Sequence, residues 1–268
     1  PQGDCTMANI SNIYKSADIA PKANAPTTQA TQTARFNATL PIAIEVLEKL
    51  SPTRYKLKLG NTTITTQRLK DLLVRGKYWA QMGNGLNGTI TLSQLIAQPK
   101  ILSQLANAPL RLNEENLKEI LSPKNGNPWD NFKNQLIERA SMAESRGEFN
   151  FYMQMLLSMH NRVLTLPLAI ERREGVLQMR KKRKKTGLHE LEFYAVFGQI
   201  GALRGRLVSD GEVVDLYITT QYERSAELLR STQNLLNGIA YFSIDVNHDI
   251  APLYELKDAH SSLLDVKG

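Results

Sequence analysis

The side chains in this 268-residue sequence best suited to metal or nucleophilic chemistry are four histidines, His160, His189, His248 and His260, and a single cysteine, Cys5. A zinc site gathers about four converging ligands. No two of these histidines have the spacing that puts both on one helix face, and His248-Asp249 is a pair without a third member. They are read as locally satisfied histidines, and no metal ligand is assigned. Acyl transfer of the Gly-x-Ser-x-Gly type needs a serine on a sharp strand-to-helix turn, and that pattern does not occur. Gly83-Asn84-Gly85 is followed by neither Gly-Lys-Ser/Thr nor a helix start, so it is not read as a phosphate cradle. The adjacent carboxylates Glu114 and Glu115 follow Asn113, where the positive end of a capped helix accounts for them. The reading is a protein that is not an enzyme and uses no cofactor.

Charge is the sharper feature. Arg180-Lys181-Lys182-Arg183-Lys184-Lys185 places six cations in a row in a chain of net charge +7. The run lies between two strand-like stretches, Glu174 to Arg180 and Leu188 to Phe197, and is expected at an exposed, mobile hairpin tip. Its partner would be anionic, an acidic protein surface or a nucleic acid, the latter bound with steep salt dependence. No aromatic residue interleaves the cations, which makes base stacking there poor. Lys56, Lys58 and Lys77 form a second cationic set near Tyr78 and Trp79. Those two rings point to opposite strand faces, so one of them is a candidate for stacking on a base.

The elements that hold these residues follow from periodicity. Residues 1–34 are rich in Ala, Thr, Gln, Asn and Pro, with too few apolar residues to offset the entropy of ordering, so a flexible tail is expected. Gln2-Gly3-Asp4 can be encoded by a bacterial ribosome-binding sequence ahead of Met7. Residues 1–6 are therefore expected to be a translated upstream region, which leaves a native start at Met7 and no cysteine.

Residues 35–98 read as short strands. Tyr55 to Leu59 alternates, Gly60-Asn61 is a hairpin turn, and Thr62 to Thr66, Gly76 to Met82 and Thr89 to Ile96 favour strand, while Ala43 to Leu50 fits helix or strand. The set predicts a small barrel-like module similar to an oligonucleotide-binding fold. Residues 99–162 read as helical. Asn113 caps a helix through Leu121, and Ser122-Pro123 and Gly126-Asn127-Pro128 break it. Trp129, Phe132, Leu136, Ile137 and Ala140 then share a face. After a break at Arg146-Gly147, Phe149, Tyr152, Met155, Leu156 and Met159 form a second stripe.

Residues 163–268 return to strands. Pro167 demotes Val163 to Ile170 to a sheet edge. Gly198-Gln199-Ile200-Gly201 is a glycine-bounded turn, Leu203 to Val208 a strand, Asp210-Gly211 a hairpin turn, and Val213 to Thr219 a strand. The period then lengthens: Ala226, Leu229, Gln233 and Leu236 lie on one helical line beside Ser225, Leu228, Thr232 and Leu235, and Asn237-Gly238 stops the helix before a strand from Ile239 to Val246. Leu253 and Leu256 are expected to dock back. The fold class is α+β: a small N-terminal β-barrel-like module, a helical middle segment, and a C-terminal sheet covered by one amphipathic helix. No apolar run of about 18 residues predicts a transmembrane segment, and no signal peptide is visible.

The stretch from Gly198 to Val246 resembles the C-terminal domain of flagellar hook-length control proteins. In that family a turn ending in Leu-Gly leads into a strand of alternating small and branched residues, then a glycine hairpin, a second strand and a leucine-rich helix. Here Ile200-Gly201 stands for Leu-Gly, Leu203, Gly205 and Leu207 carry the alternation, Asp210-Gly211 is the hairpin, and Leu228, Leu229, Leu235 and Leu236 are the helix leucines. The proline usual before Leu-Gly is absent, and Gly198 lies near its place. The resemblance implies a regulator of flagellar protein export, cytoplasmic or itself exported, that binds the cytoplasmic part of the export gate. Gln199, Ile200, Gly201, Leu203 and Gly205 would be the contact. Such regulators carry a long N-terminal ruler segment. The residues ahead of the first expected fold here number only 34, which implies a shortened relative. The alternative expectation is a nucleic-acid-binding module that uses the small barrel and the basic hairpin together.

Overall fold

The computed structural model describes residues 40–67, 71–84, 90–122, 127–170, 173–183 and 188–256. The expected tail, the Met7 start, and Lys184 and Lys185 lie outside these residues. The fold is mixed α+β, with two sheets and five helices among the described residues. The chain divides into two compact units. One holds residues up to 98 together with 198–201 and 222–237. The other holds 99–197, 202–221 and 238 onward.

The first unit is built on a five-stranded sheet of β1 (Ile42–Lys49), β2 (Arg54–Leu59), β3 (Thr62–Gln67), β4 (Lys77–Asn84) and β5 (Ile90–Ala97), in the order β3-β2-β1-β4-β5. All four pairings are antiparallel, and no pairing of β3 with β5 closes the sheet among the described residues. The strict alternation of β2 buries Tyr55, Leu57 and Leu59 on one face and leaves Arg54, Lys56 and Lys58 exposed on the other. Gly60 has φ +56°, the left-handed conformation the tight β2–β3 turn requires. Ile44, Val46, Leu72 and Ala80 join Tyr55, Leu57 and Leu59 in one apolar cluster. The ambiguous stretch 43–50 is strand, because its apolar side chains meet this sheet.

The same unit contains helix α5 (Glu223–Ser231). The amphipathic helix expected over the C-terminal sheet groups instead with the N-terminal one. The buried stripe, Ser225, Ala226 and Leu229, is visible in the sequence, but nothing in a stripe says which sheet takes it. The helix also ends earlier than Asn237-Gly238. Thr232 caps it and a 3-10 turn over Gln233–Leu235 follows.

The second unit carries a six-stranded sheet of β6 (Leu164–Ile170), β7 (Arg173–Arg183), β8 (His189–Phe197), β9 (Gly201–Ser209), β10 (Val214–Thr220) and β11 (Tyr241–Val246), in the order β11-β10-β9-β8-β7-β6. Gly201 itself, the first residue of β9, groups with the first unit. Only β10 and β11 are parallel, residue 215 facing 241 through 220 facing 246. A parallel neighbour needs a crossover connection, and α5 supplies it in sequence. Strand β6 is an edge, as Pro167 requires. Its outer side is capped by a single bridge in which Leu112 N–H donates to Pro167 O and Ala169 N–H to Leu112 O, at 2.9 Å each.

Helices α1 (Lys100–Leu105), α2 (Glu114–Leu121), α3 (Pro128–Ser141) and α4 (Arg146–His160) precede that sheet in sequence. Asn113 caps α2 as expected, accepting from Asn116 N–H at 2.8 Å. The expected break at Arg146-Gly147 is the start of α4 instead, capped by Ser145, whose hydroxyl accepts from Glu148 N–H at 3.1 Å. In α3, Phe132 and Leu136 are buried, but Ile137 is exposed and leaves the expected stripe. In α4, Tyr152, Met155 and Ser158 face inward and Phe149 does not.

A buried polar network ties this unit together. Ser158 and Thr165 share a hydroxyl–hydroxyl bond at 2.7 Å, and Gln178 Nε2 donates to Thr165 Oγ1 and to Tyr254 O. Gln178 Oε1 accepts from Leu253 and Tyr254 N–H at 2.9 and 3.2 Å. The C-terminal segment therefore docks by its backbone as well as by Leu256, which is buried.

Candidate docking surface

The turn between β8 and β9 has its conformation set by Gly201, at φ +86°. Of its residues, Gln199 is exposed, while Ile200 and Leu203 are buried, 5% and 7% exposed. Gly201 is buried and Gly205 is partly so. The expected outer contact through Ile200, Gly201 and Leu203 is thereby corrected: these are core positions in this conformation. The sequence pattern marked them as important without saying whether they face a partner or the protein itself.

What occupies the turn is in the first unit. Trp79 is fully buried, and its Nε1–H donates to Gly198 O at 2.9 Å. Ser225 of α5 donates to Ile200 O at 2.8 Å, so turn and helix are joined. Tyr222, also fully buried, donates its hydroxyl to Gln94 O of β5 at 3.1 Å, and burial pushes its phenol up from the ordinary range. Gln94 has φ +47° and lies where the β4–β5 register shifts, between the Trp79–Ile96 and Gln81–Ser93 pairs. A bulge of this kind re-aims backbone groups, and here the carbonyl meets Tyr222. Tyr78 and Trp79 do point to opposite faces, but Trp79 is closed to any base, and Lys56 and Lys58 stand opposite Glu48 and Glu45 in the β1–β2 register.

Part of the basic run is paired strand. Arg180 to Arg183 are the last four residues of β7, in register with Glu192 to His189 of β8, and lead into the β7–β8 connection, while Lys184 and Lys185 lie outside the described residues. Arg180 donates to Glu192 Oε2 from Nε at 2.9 Å and from a terminal nitrogen at 2.6 Å, and Lys182 reaches Glu192 Oε1 at 2.6 Å. Burial pushes Glu192 up, but the bonds from Lys182 and Arg180 outweigh it and hold the carboxyl below its usual value. Lys181 is exposed.

A face that the sequence reading missed lies on β9–β11. Arg206 sits 4.4 Å from the centroid of the Tyr217 ring, and the Tyr217 and Tyr241 rings are 5.5 Å apart. Register puts Arg204, Arg206, Thr219, Tyr217 and Ser243 on this face, along with the acids Asp215 and Asp245. The alternation of Arg204 and Arg206 was the available signal. On the opposite face the Phe193 ring lies against Gly205, where a Cβ would come within 2.5 Å of it. That close approach gives the small residue in the Leu203, Gly205, Leu207 alternation a packing cause.

Elsewhere, a cavity of about 520 Å³ lies beside α2 and α3, lined by Arg111, Arg139, Glu119 and Glu138 among others. Its balanced charges select no ligand. Among the described residues no three His, Cys, Asp or Glu converge to hold a metal, and no helix is long and apolar enough to cross a membrane. Comparison with protein-family models, with curated proteins and with solved structures finds no match to this chain.

Proposed function

We propose that this chain is a non-enzymatic regulator of flagellar protein export. It acts in the cytoplasm, with passage through the flagellar apparatus as a further expectation. It docks on the cytoplasmic part of the export gate and shifts that partner to the substrate class used after the hook is complete. The observation that supports this most is the run of elements from β9 to β11: a hairpin, a leucine-bearing amphipathic helix and a strand returning beside the hairpin, in the order on which the resemblance rests. The docking elements are the exposed Gln199 and the exposed side of α5, with the buried turn at Ile200 and Gly201 engaged only where it becomes uncovered. Deleting the coding region in the bacterium that encodes it should give overgrown hooks without filaments. Hooks of normal length bearing filaments would reject the reading.

A second reading, nucleic-acid binding, is favoured by the exposed Tyr241 ring beside the Arg206–Tyr217 stack, which supplies the aromatic surface that the basic run lacks. Binding of labelled single-stranded DNA or RNA at two salt concentrations tests it. No binding at low salt removes it.

A further inference from the structure

We propose that the N-terminal sheet is a built-in mask of the docking turn and helix, so that the structure described here is the closed form of a two-state switch. This inference rests on the export-gate reading above and adds its regulation.

Three features carry it. Ile200, which stands at the leucine of the family's Leu-Gly turn, is buried, and its carbonyl accepts from Ser225 of α5. Turn and helix therefore move as one piece. That piece is held by two large aromatic anchors. Trp79 reaches from β4 to Gly198 O, and Tyr222, the residue that opens α5, reaches β5 at Gln94 O. The acceptor at Gln94 is created by a non-glycine residue in left-handed backbone, a conformation that costs energy and persists only where its surroundings enforce it. A contact resting on a strained acceptor has a stored bias toward opening. A partner that binds the uncovered turn draws the population toward the open form by its differential affinity, and the sheet lowers apparent affinity until it does.

The test uses the full chain and variants of opposite sign. The double variant Trp79→Phe/Tyr222→Phe removes both donors, keeping the Tyr222 ring and replacing the indole of Trp79 with a smaller one. Hydrogen exchange over residues 198–202 and 222–231 should speed up about tenfold while β6 and β7 stay protected, and affinity for the purified cytoplasmic part of the export gate should rise by about the same factor. Gln94→Gly relaxes the left-handed position. Exchange over the same residues should slow, and gate binding should weaken. Exchange that changes equally across β1 to β5 would show a shift in the stability of the whole unit and would also overturn the mask. Exchange unchanged in both variants would overturn the mask. Faster exchange with gate affinity equal to that of the native chain would also overturn it, with the docking reading intact. Gate binding by none of the three proteins would sink the docking reading and the mask with it.

Discussion

Glu192 decides the character of the basic run, because one carboxylate pairs with two cations that a sequence shows only as a row. Its folded value is depressed, so the stability it contributes is present above the ordinary glutamate value near 4.5 and is lost as pH falls through the lower folded value. Glu192→Gln should cost roughly 1 kcal/mol at neutral pH and flatten the acid limb of a stability–pH curve within that window. An unchanged acid limb would show that the pair contributes nothing. Gln178 is the more demanding case. Gln178→Ala leaves two N–H donors and a carbonyl of the C-terminal segment without their partner. A loss of about 3 kcal/mol is expected, with faster exchange at Leu253 and Tyr254. A loss under about 1 kcal/mol would mean that water replaces the amide.

At the level of elements, Gly205 sets how closely β8, β9 and β10 meet. A Cβ there would lie 2.3 Å from Tyr217 O and 2.5 Å from Phe193. Gly205→Ala should destabilise by about 2 kcal/mol, since a backbone carbonyl cannot swing away as a side chain can. Denaturant titration of the variant checks this, and a neutral result would place the strands further apart.

Elements with a strict local period were legible in the sequence. The β2 alternation, the Gly60 turn, the Asn113 cap and the edge role of Pro167 all follow from backbone rules that act within a few residues. The hairpin at Asp210-Gly211 was legible only in part. It is a four-residue loop between Ser209 and Val214, with Asp210 Oδ1 accepting from Glu212 and Val213 N–H at 3.0 Å each, and only Gly211 has positive φ. Pairings between distant residues were not legible. Nothing local says that Trp79 meets Gly198, 119 positions away, or that Tyr222 meets Gln94, 128 positions away. Ile200 looks like an outward contact in the sequence, but it is buried, its carbonyl is taken by Ser225, and the Gly198 carbonyl in the same turn is taken by Trp79.

For the whole molecule, function comes down to whether the turn and α5 receive another protein. Net charge +7 will attract acidic surfaces without regard to site, so specific docking has to survive screening. The most direct measurement is calorimetric titration of the full chain, native and Trp79→Phe/Tyr222→Phe, with the purified cytoplasmic part of the export gate at low and high salt. A saturable complex is expected with each protein, tighter for the variant, that persists when salt is raised and when Lys181 and Lys182 are changed to Glu. No complex with either protein at about 100 μM, or one that vanishes with the two lysines, would contradict it.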